Sequence, residues 1–256
     1  MYIDSHCHLD RLNLDDFKGS LKKALDLARN NGVKHFLCVC IDLEHFQDIL
    51  NIANQYSDVS ASVGVHPCDT QGKEPTVEDL VTLSKPKKVV AIGETGLDYF
   101  YNKGDLTWQR NRFRNHITAA KITKKPLIIH SRDAKEDTIA ILTEESANEV
   151  GGVMHCFVED WDIAQKSMDL NFYISFSGIV TFKNAAQIQE VARKMPDGKI
   201  LIETDSPYLA PIPHRGKSNH PKNVIHVAEF IAELRNTSVE HIAEISSQNY
   251  HNLFGT

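Results

Sequence analysis

The sequence predicts an α/β protein in which residues 1–256 form a single (β/α)8 TIM barrel. Short β-rich segments alternate with amphipathic helical segments from one end of the chain to the other. Eight strands can be identified in this way, and eight parallel strands is the number that closes such a barrel. No Gly/Ser-rich or low-complexity linker divides the chain, so one domain is expected.

The predicted strands are short runs enriched in apolar and β-branched residues. In chain order they are Tyr2–Asp4, His35–Ile41, Ser60–Val65, Val89–Gly93, Leu127–His130, Gly152–His155, Phe172–Phe176 and Ile200–Glu203. Helices are predicted where apolar residues recur at helical spacing between or after these strands. They are Leu14–Arg29, Leu43–Gln55, Trp108–Ile122, Ala134–Glu145, Ile163–Leu170, Ala185–Lys194, Pro221–Arg235 and Val239–Leu253.

An open, doubly wound sheet is the alternative architecture for the same alternation. That fold requires a glycine-rich phosphate loop directly after the first strand. The residues at that position are Asp4-Ser5-His6-Cys7-His8, which contain no glycine. The barrel is therefore favoured.

The composition limits the classes of function. The apolar fraction of 41% is typical of a chain with a substantial core. The chain carries 28 Lys+Arg and 34 Asp+Glu, a net charge of −6. This balance argues against a surface that coats nucleic acid nonspecifically, which requires a basic stripe. A phosphate held in a local pocket is still compatible with it.

The cysteines and the N-terminus indicate a cytoplasmic protein. The five cysteines are odd in number and form no Cys-x-x-Cys pair, which favours reduced thiols. The N-terminus lacks the basic and apolar regions of a signal peptide. No run approaches the ~18–20 apolar residues that cross a bilayer, so no membrane association is expected.

Potential metal ligands recur at the ends of the predicted strands. His6 and His8 follow the first strand, and because alternate residues of a strand share a face, both imidazoles can reach one ion. Four more potential ligands lie at or just past the ends of later strands: Glu94, His130, His155 and Asp205. In (β/α)8 enzymes the active site lies at this face of the barrel. The pattern predicts a metal centre there.

Each of these residues also has a structural interpretation when taken singly. His130 or His155 could be a core histidine bonded to a backbone carbonyl, and Glu94 could be a hydrogen-bonding residue at the barrel rim. The recurrence of the whole set at one face favours the metal centre.

Several motifs occur in the order typical of a known family. They are Asp4–Asp10, Gly64–Pro67, Gly93–Tyr99, His130–Ala134, Gly152–Phe157, Phe172–Gly178, Glu203–Pro211 and Pro213–Lys217. Together they resemble the TatD family of metal-dependent deoxyribonucleases, most closely its YcfH-like branch. The resemblance extends from residue 2 to about residue 253. It implies an amidohydrolase-like metal-dependent hydrolase barrel.

The resemblance implies two divalent ions per chain. His6, His8 and Asp205 would hold one ion and His130 and His155 the other, while Glu94 would bridge them. A carboxylate can span two ions about 3.5–4 Å apart, the separation found in two-metal hydrolases. The identity of the ions stays open among Mg, Mn, Zn, Co and Ni.

The implied reaction is hydrolysis of a phosphodiester by a water that two ions activate. Asp205 is the residue expected to take the proton of that water. Glu203 lies two residues earlier on the same strand. It would either orient water or a leaving group in catalysis, or form a supporting hydrogen bond to a ligand.

Three residues are candidates for binding substrate: His66, Arg132 and Arg215. The Arg132 guanidinium could bind phosphate oxygens, or form a salt bridge with Asp133 or Glu94. His66 could approach the mouth of the barrel or simply shape a His-Pro turn. The aromatic residues Tyr99–Tyr101 could stack on a base or pack beneath their loop.

The expected function is a TatD-type deoxyribonuclease, as the resemblance implies, acting on DNA ends and most plausibly as a 3′–5′ exonuclease on single strands. The partners would be DNA ends or another phosphodiester, and no obligate protein partner is inferred. One alternative is an amide or ester hydrolase, including D-aminoacyl-tRNA deacylation. Another is a barrel without enzymatic activity, which the complete ligand set argues against.

Overall fold

Eight parallel strands follow one another in chain order in the computed structural model, which describes residues 1–255. They are β1 (Tyr2–Cys7), β2 (Val33–Cys38), β3 (Val59–Val63), β4 (Val89–Asp98), β5 (Leu127–Arg132), β6 (Gly152–Met154), β7 (Phe172–Phe176) and β8 (Ile200–Ile202). Each strand pairs in parallel with the next one along the chain. The predicted barrel is therefore confirmed.

Backbone hydrogen bonds between the ends of β1 and β8 bring the two edge strands together. The His8 amide donates to the Ser206 carbonyl over 2.8 Å, and the Asp205 amide donates to the His6 carbonyl over 2.9 Å. Below them, the Asp4 carboxylate accepts the Thr204 amide over 2.9 Å. These bonds place His6, His8 and Asp205 next to one another, although about 200 residues separate them in sequence.

The helices lie between and after the strands. They are α1 (Leu21–Asn30), α2 (Phe46–Gln55), α3 (Val77–Leu83), α4 (Thr107–Thr123), α5 (Lys135–Glu144), α6 (Trp161–Asp169), α7 (Ala186–Lys194), α8 (Val224–Arg235) and α9 (Val239–Phe254). Among residues 1–255, none of the helices is both long enough and apolar enough to cross a membrane. The α3 helix was not among those predicted, because its seven residues bury only Leu80 and give too short a periodic signal.

The prediction of one helix over Leu14–Arg29 was wrong in its first part. A 3-10 turn covers Asp15–Phe17, and α1 begins only at Leu21. Lys18 and Gly19 adopt left-handed backbone angles, with φ of 54° and 72°, which a continuous helix cannot contain. Ser20 then caps α1 by accepting the Lys23 amide.

The β4 strand is longer than predicted and carries two side chains of the site. It continues five residues beyond Gly93, to Asp98. Gly96 makes this possible, because a Cβ there would lie 2.0 Å from the His130 carbonyl oxygen of β5. Glu94 and Asp98 are therefore held on a paired strand rather than on a loop.

The α9 helix covers the N-terminal ends of the strands. Ser247 donates to the Met1 carbonyl over 3.1 Å, and Asn249 donates to the Ile200 carbonyl over 2.8 Å. Tyr250 and Phe254 of the same helix pack against buried strand residues such as Ile3. The opposite end, where the strands terminate, is left to form the site.

Buried polar side chains of α4 hold the loop that follows β3. Gln109 donates to the Pro67 carbonyl over 3.0 Å, and Arg112 donates to the His66 carbonyl over 2.9 Å. His116 accepts the Val65 amide at Nε2 over 3.0 Å. Its Nδ1 donates to the Arg112 carbonyl, which fixes the neutral tautomer.

Acid should weaken the fold through His116. Burial lowers the pKa of His116 from its ordinary value of 6.5 to about 4. The unfolded chain therefore binds the proton more readily, and the stabilisation present above pH 6.5 is lost as the pH falls towards 4. At pH 5 the expected loss from this residue is about 2 kcal/mol of unfolding free energy.

Urea unfolding of wild type and His116→Gln at pH 7 and pH 5 measures this effect. The variant should lose less stability than wild type between the two pH values. His45→Gln, at a histidine whose side chain is 57% exposed, is the control and should behave as wild type. Equal acid sensitivity of wild type and His116→Gln would contradict the assignment.

Candidate metal centre

A cavity of about 720 Å³ opens at the C-terminal ends of the strands. Seven of the ten predicted site residues line it: His8, His66, Glu94, His130, Arg132, His155 and Asp205. His6 and Glu203 are fully buried behind this surface. Arg215 does not line the cavity, and its guanidinium lies 4.3 Å from the centre of the Phe182 ring.

The two carboxylate oxygens of Glu94 face different pairs of histidines. Oε2 lies 3.2 Å from His6 Nε2 and 4.0 Å from His8 Nε2. Oε1 lies 2.8 Å from His155 Nε2 and 3.2 Å from His130 Nδ1. This is the arrangement expected of a carboxylate that bridges two ligand groups.

Asp205 completes only one of these groups. Its Oδ1 lies 3.3 Å from His8 Nε2 and 3.7 Å from His6 Nε2. His6, His8 and Asp205 together satisfy the spacing needed to hold one ion. Burial raises the pKa of the Asp205 carboxyl, but its contacts with His8, His6 and His155 outweigh burial and lower it. The carboxylate is therefore ionised, as a ligand must be.

Hydrogen bonds set the tautomers of His8 and His155. His8 Nδ1 donates to the Val39 carbonyl over 3.1 Å, and His155 Nδ1 donates to Glu203 Oε1 over 3.1 Å. In each neutral ring the lone pair is then on Nε2, the atom that faces Glu94. Metal-binding histidines in proteins are commonly oriented in this way.

Asp98 orients His130 in the same manner and was not predicted as a site residue. His130 Nε2 donates to Asp98 Oδ2 over 3.1 Å, which leaves the Nδ1 lone pair directed towards Glu94. Burial raises the pKa of Asp98, but the bond to His130 and other contacts outweigh burial and lower it to about 2. Asp98 lies four residues after Glu94, so the two side chains share a face when β4 is long enough to contain both. The predicted β4 ended too early to show this.

Several buried nitrogens at the centre have no hydrogen-bond partner among the described residues. They are both ring nitrogens of His6 and Nε2 of His155. The His6 and His155 rings stack with centroids 3.8 Å apart. Positive charges on both rings would therefore repel each other. Burial lowers the pKa of His6 and keeps that ring neutral. Unpaired buried nitrogens beside ionised carboxylates fit divalent cations well.

His66 also approaches Glu94, but with a hydrogen rather than a lone pair. Its Nδ1 accepts the Cys68 amide over 3.0 Å, so the neutral ring carries its proton on Nε2. That atom lies 3.3 Å from Glu94 Oε1. The spacing of His66, Glu94 and His130 would permit an ion, but this tautomer makes His66 a donor. The role of His66 in substrate binding stays a prediction.

Glu203 lies behind His155 rather than at the cavity surface. Its Oε1 accepts both His155 Nδ1 and the Cys156 amide, over 3.1 and 2.9 Å. The residue is 0% exposed. Of its two predicted roles, this geometry favours the hydrogen bond to a ligand, although Glu203 also lies close enough to His6 and His155 for the three to hold an ion.

The aromatic run after β4 divides into one packed and two exposed rings. Tyr99 is partly buried against the core, and its hydroxyl donates to Asp137 over 2.5 Å. Phe100 and Tyr101 are 48% and 67% exposed. The Arg132 guanidinium lies over both exposed rings, at 4.0 and 4.8 Å from their centres.

The sequence matches the model of a known protein family over nearly its whole length. The model described as TatD related DNase matches residues 3–255. The chain belongs to the TatD-related DNase family. The proteins to which it is similar include some named as metal-dependent hydrolases.

Two such relatives are the uncharacterized metal-dependent hydrolases YcfH of Escherichia coli K12 and YabD of Bacillus subtilis 168. YcfH is 45% identical over 252 residues, covering 98% of this chain and 95% of its own. YabD is 42% identical over 257 residues, covering 99% of both chains. The crystal structure of YJJV, a TatD homologue from Escherichia coli, superposes with a TM-score of 0.91 at 28% identity, covering 100% of this chain and 98% of that one.

These findings, with the ligand groups above, identify the chain as a metal-dependent hydrolase of the TatD family with a TIM-barrel fold. Its His, Glu and Asp side chains form groups whose spacing could hold a metal ion.

Proposed function

We propose that the chain is a phosphodiesterase that removes nucleotides from DNA ends, preferring the 3′ ends of single strands, with two divalent ions bridged by Glu94. The observation that carries the proposal is the division of the Glu94 oxygens between two ligand groups. Two-metal centres of this kind are typical of enzymes that hydrolyse phosphodiesters. The family description, TatD related DNase, supports DNA as the substrate.

The side chains would divide the chemistry as follows. Two bound cations supply the positive charge that neutralises a phosphodiester and makes water acidic. Glu94 would place one carboxylate oxygen at each ligand group, and the Asp205 carboxylate would accept the proton of the attacking water. Glu203 and Asp98 act through His155 and His130, which they hold in the ligand tautomer.

The shape and charge of the site favour a chain end as the substrate. The cavity of about 720 Å³ can enclose a nucleotide but not the width of a duplex. A net charge of −6 gives the protein no broad basic surface for clamping long duplexes. Arg132 supplies a local cation at the wall of the cavity for one phosphate.

Hydrolysis of an ester or amide is the second candidate, and one observation favours it. Two carboxylates, Asp133 and Glu159, line the same cavity as Arg132. Negative side chains repel a phosphate but attract an ammonium group such as that of an aminoacyl ester. This candidate predicts turnover of aminoacyl esters without cleavage of DNA.

Oligonucleotides labelled at either end test the proposal. We expect stepwise release of mononucleotides, because only a free end reaches the metal centre, and loss of a 3′ label first, as the family resemblance implies. Single strands should be cut faster than duplexes, since an end within a duplex must first unpair. Circular single-stranded DNA is the control and should be spared. Rapid cutting of the circles would establish endonuclease action, and turnover of an aminoacyl ester without DNA cleavage would favour the second candidate.

A further inference from the structure

Two exposed aromatic rings and one arginine form a cluster at the rim of the cavity, defined here as the rim cluster: Phe100, Tyr101 and Arg132. Phe100 and Tyr101 are among the few large apolar side chains exposed in the described chain. The two rings meet edge to face with centroids 4.9 Å apart. Tyr101 and Arg132 both line the cavity that contains the metal centre. The cluster is therefore continuous with the site where the reaction would occur.

Aromatic rings, and not a carboxylate, hold the Arg132 guanidinium. The arginines of α4 pair with carboxylates, as Arg112 does with Glu74 and Arg114 with Glu144. Among residues 1–255, no carboxylate forms an ion pair with Arg132, and neither Asp133 nor Glu94 fills that role. The guanidinium instead lies over the two aromatic rings. Its N–H donors are thereby oriented but left available to an anion.

The rim cluster is fixed relative to the metal ligands. The Tyr101 amide donates to Asp98 Oδ1 over 2.7 Å. The other oxygen of Asp98 accepts the hydrogen of His130 Nε2. Arg132 lies two residues after His130 on β5 and pairs with Asp98 in the sheet. The same carboxylate thus positions a ligand and the exposed tyrosine, so a group bound on Tyr101 has a defined position relative to the metal centre.

We propose that the rim cluster is a nucleotide subsite in which Arg132 binds a phosphate and the exposed ring of Tyr101 stacks on the adjoining unpaired base. This inference rests on the proposed function, since it specifies how the same cavity holds its substrate. A cation next to an exposed aromatic face matches the two chemical parts of a nucleotide, its anionic phosphate and its flat base. Stacking accepts every base, so the subsite selects single strands without selecting sequence.

The experiment measures binding, so it does not depend on cleavage. A short single-stranded oligonucleotide with phosphorothioate linkages, which are cleaved slowly, is titrated with the holoenzyme and followed by fluorescence anisotropy. A second oligonucleotide has the same length and linkages but abasic sugars. The variants are Tyr101→Ala, Tyr101→Phe and Arg132→Ala. Tyr173→Ala is the matched control, because that tyrosine also has a cation over its ring, Lys199 at 4.5 Å, but is at the start of β7.

The two oligonucleotides should separate the two roles. Tyr101→Ala should weaken binding of the base-bearing strand about 5- to 150-fold and have no effect on the abasic strand. Tyr101→Phe should restore the affinity, because stacking requires the ring and not the hydroxyl. Arg132→Ala should weaken both strands by a similar factor, since both carry phosphates.

Two results would overturn the subsite. One is wild-type affinity of Tyr101→Ala for the base-bearing strand, and the other is an equal loss of affinity for both strands. Tyr101 is mostly exposed, so its replacement should not unfold the chain, and thermal unfolding of each variant verifies this. If wild type cleaves no DNA but binding shows the expected pattern, the subsite stands and the proposed reaction fails. If DNA is cleaved but the binding pattern is absent, the proposed reaction stands and the subsite fails.

Discussion

Glu94→Ala should abolish hydrolysis and remove metal from both ligand groups. Each oxygen of the carboxylate lies within 3.2 Å of a histidine nitrogen in a different group, so both groups lose a ligand at once. The loss of charge neutralisation at the phosphate is worth several kcal/mol. We therefore expect turnover to fall by at least about 10³-fold. Elemental analysis and a phosphodiesterase assay on the same preparation measure both effects.

The control for Glu94→Ala is Glu136→Ala, which removes an exposed carboxylate at the start of α5, outside the cavity lining. It should keep wild-type metal content and turnover. Two ions retained by Glu94→Ala, together with near-normal turnover, would contradict the bridging role.

Asp205→Asn should remove metal from one ligand group only. Asp205 Oδ1 lies near His6 and His8, whereas the histidines on the Oε1 side of Glu94 are His130 and His155. The amide keeps the size of the side chain but loses its charge and its ability to accept a proton from water. We expect about one ion per chain and a fall in turnover of about 10²-fold or more, the contribution typical of a positioned general base.

His130→Asn is the mirror-image variant, since His130 contacts the other oxygen of Glu94. It should also leave about one ion, held by the group that contains Asp205. Metal analysis of the two single variants and the double variant separates the groups. If the double variant keeps as much metal as either single variant, the assignment of separate groups is wrong.

The fold could be predicted because a parallel barrel repeats one pattern. Each buried strand is a short apolar run, whereas apolar residues recur every three or four positions in each covering helix. The alternation of strands and helices is therefore visible in the sequence alone. What the pattern did not show depends on backbone angles and short elements. Lys18 and Gly19 end the 3-10 turn before α1 within an otherwise helical pattern, and α3 buries a single leucine.

The candidate metal ligands could be predicted from the sequence better than the hydrogen bonds that orient them. A ligand at the end of a parallel strand lies at one face of the barrel whatever the loops do, so His6, Glu94 and Asp205 were expected to meet. The hydrogen bonds of Asp98 and Glu203 to histidines depend on the pairing of β4 with β5 and on the packing of His155. A carboxylate in the sequence does not show which imidazole it will reach, so the sequence alone neither identifies Asp98 nor decides between the two roles of Glu203.

The most direct test of the central claim is a crystal structure of the purified protein with anomalous scattering recorded at the edges of candidate metals. We expect two peaks, one on each side of the Glu94 carboxylate. The first should lie among His6, His8 and Asp205, and the second beside His130 and His155, with His66 bound to neither. A single peak, or a second peak held by His66 instead of His155, would contradict the bridged two-metal centre.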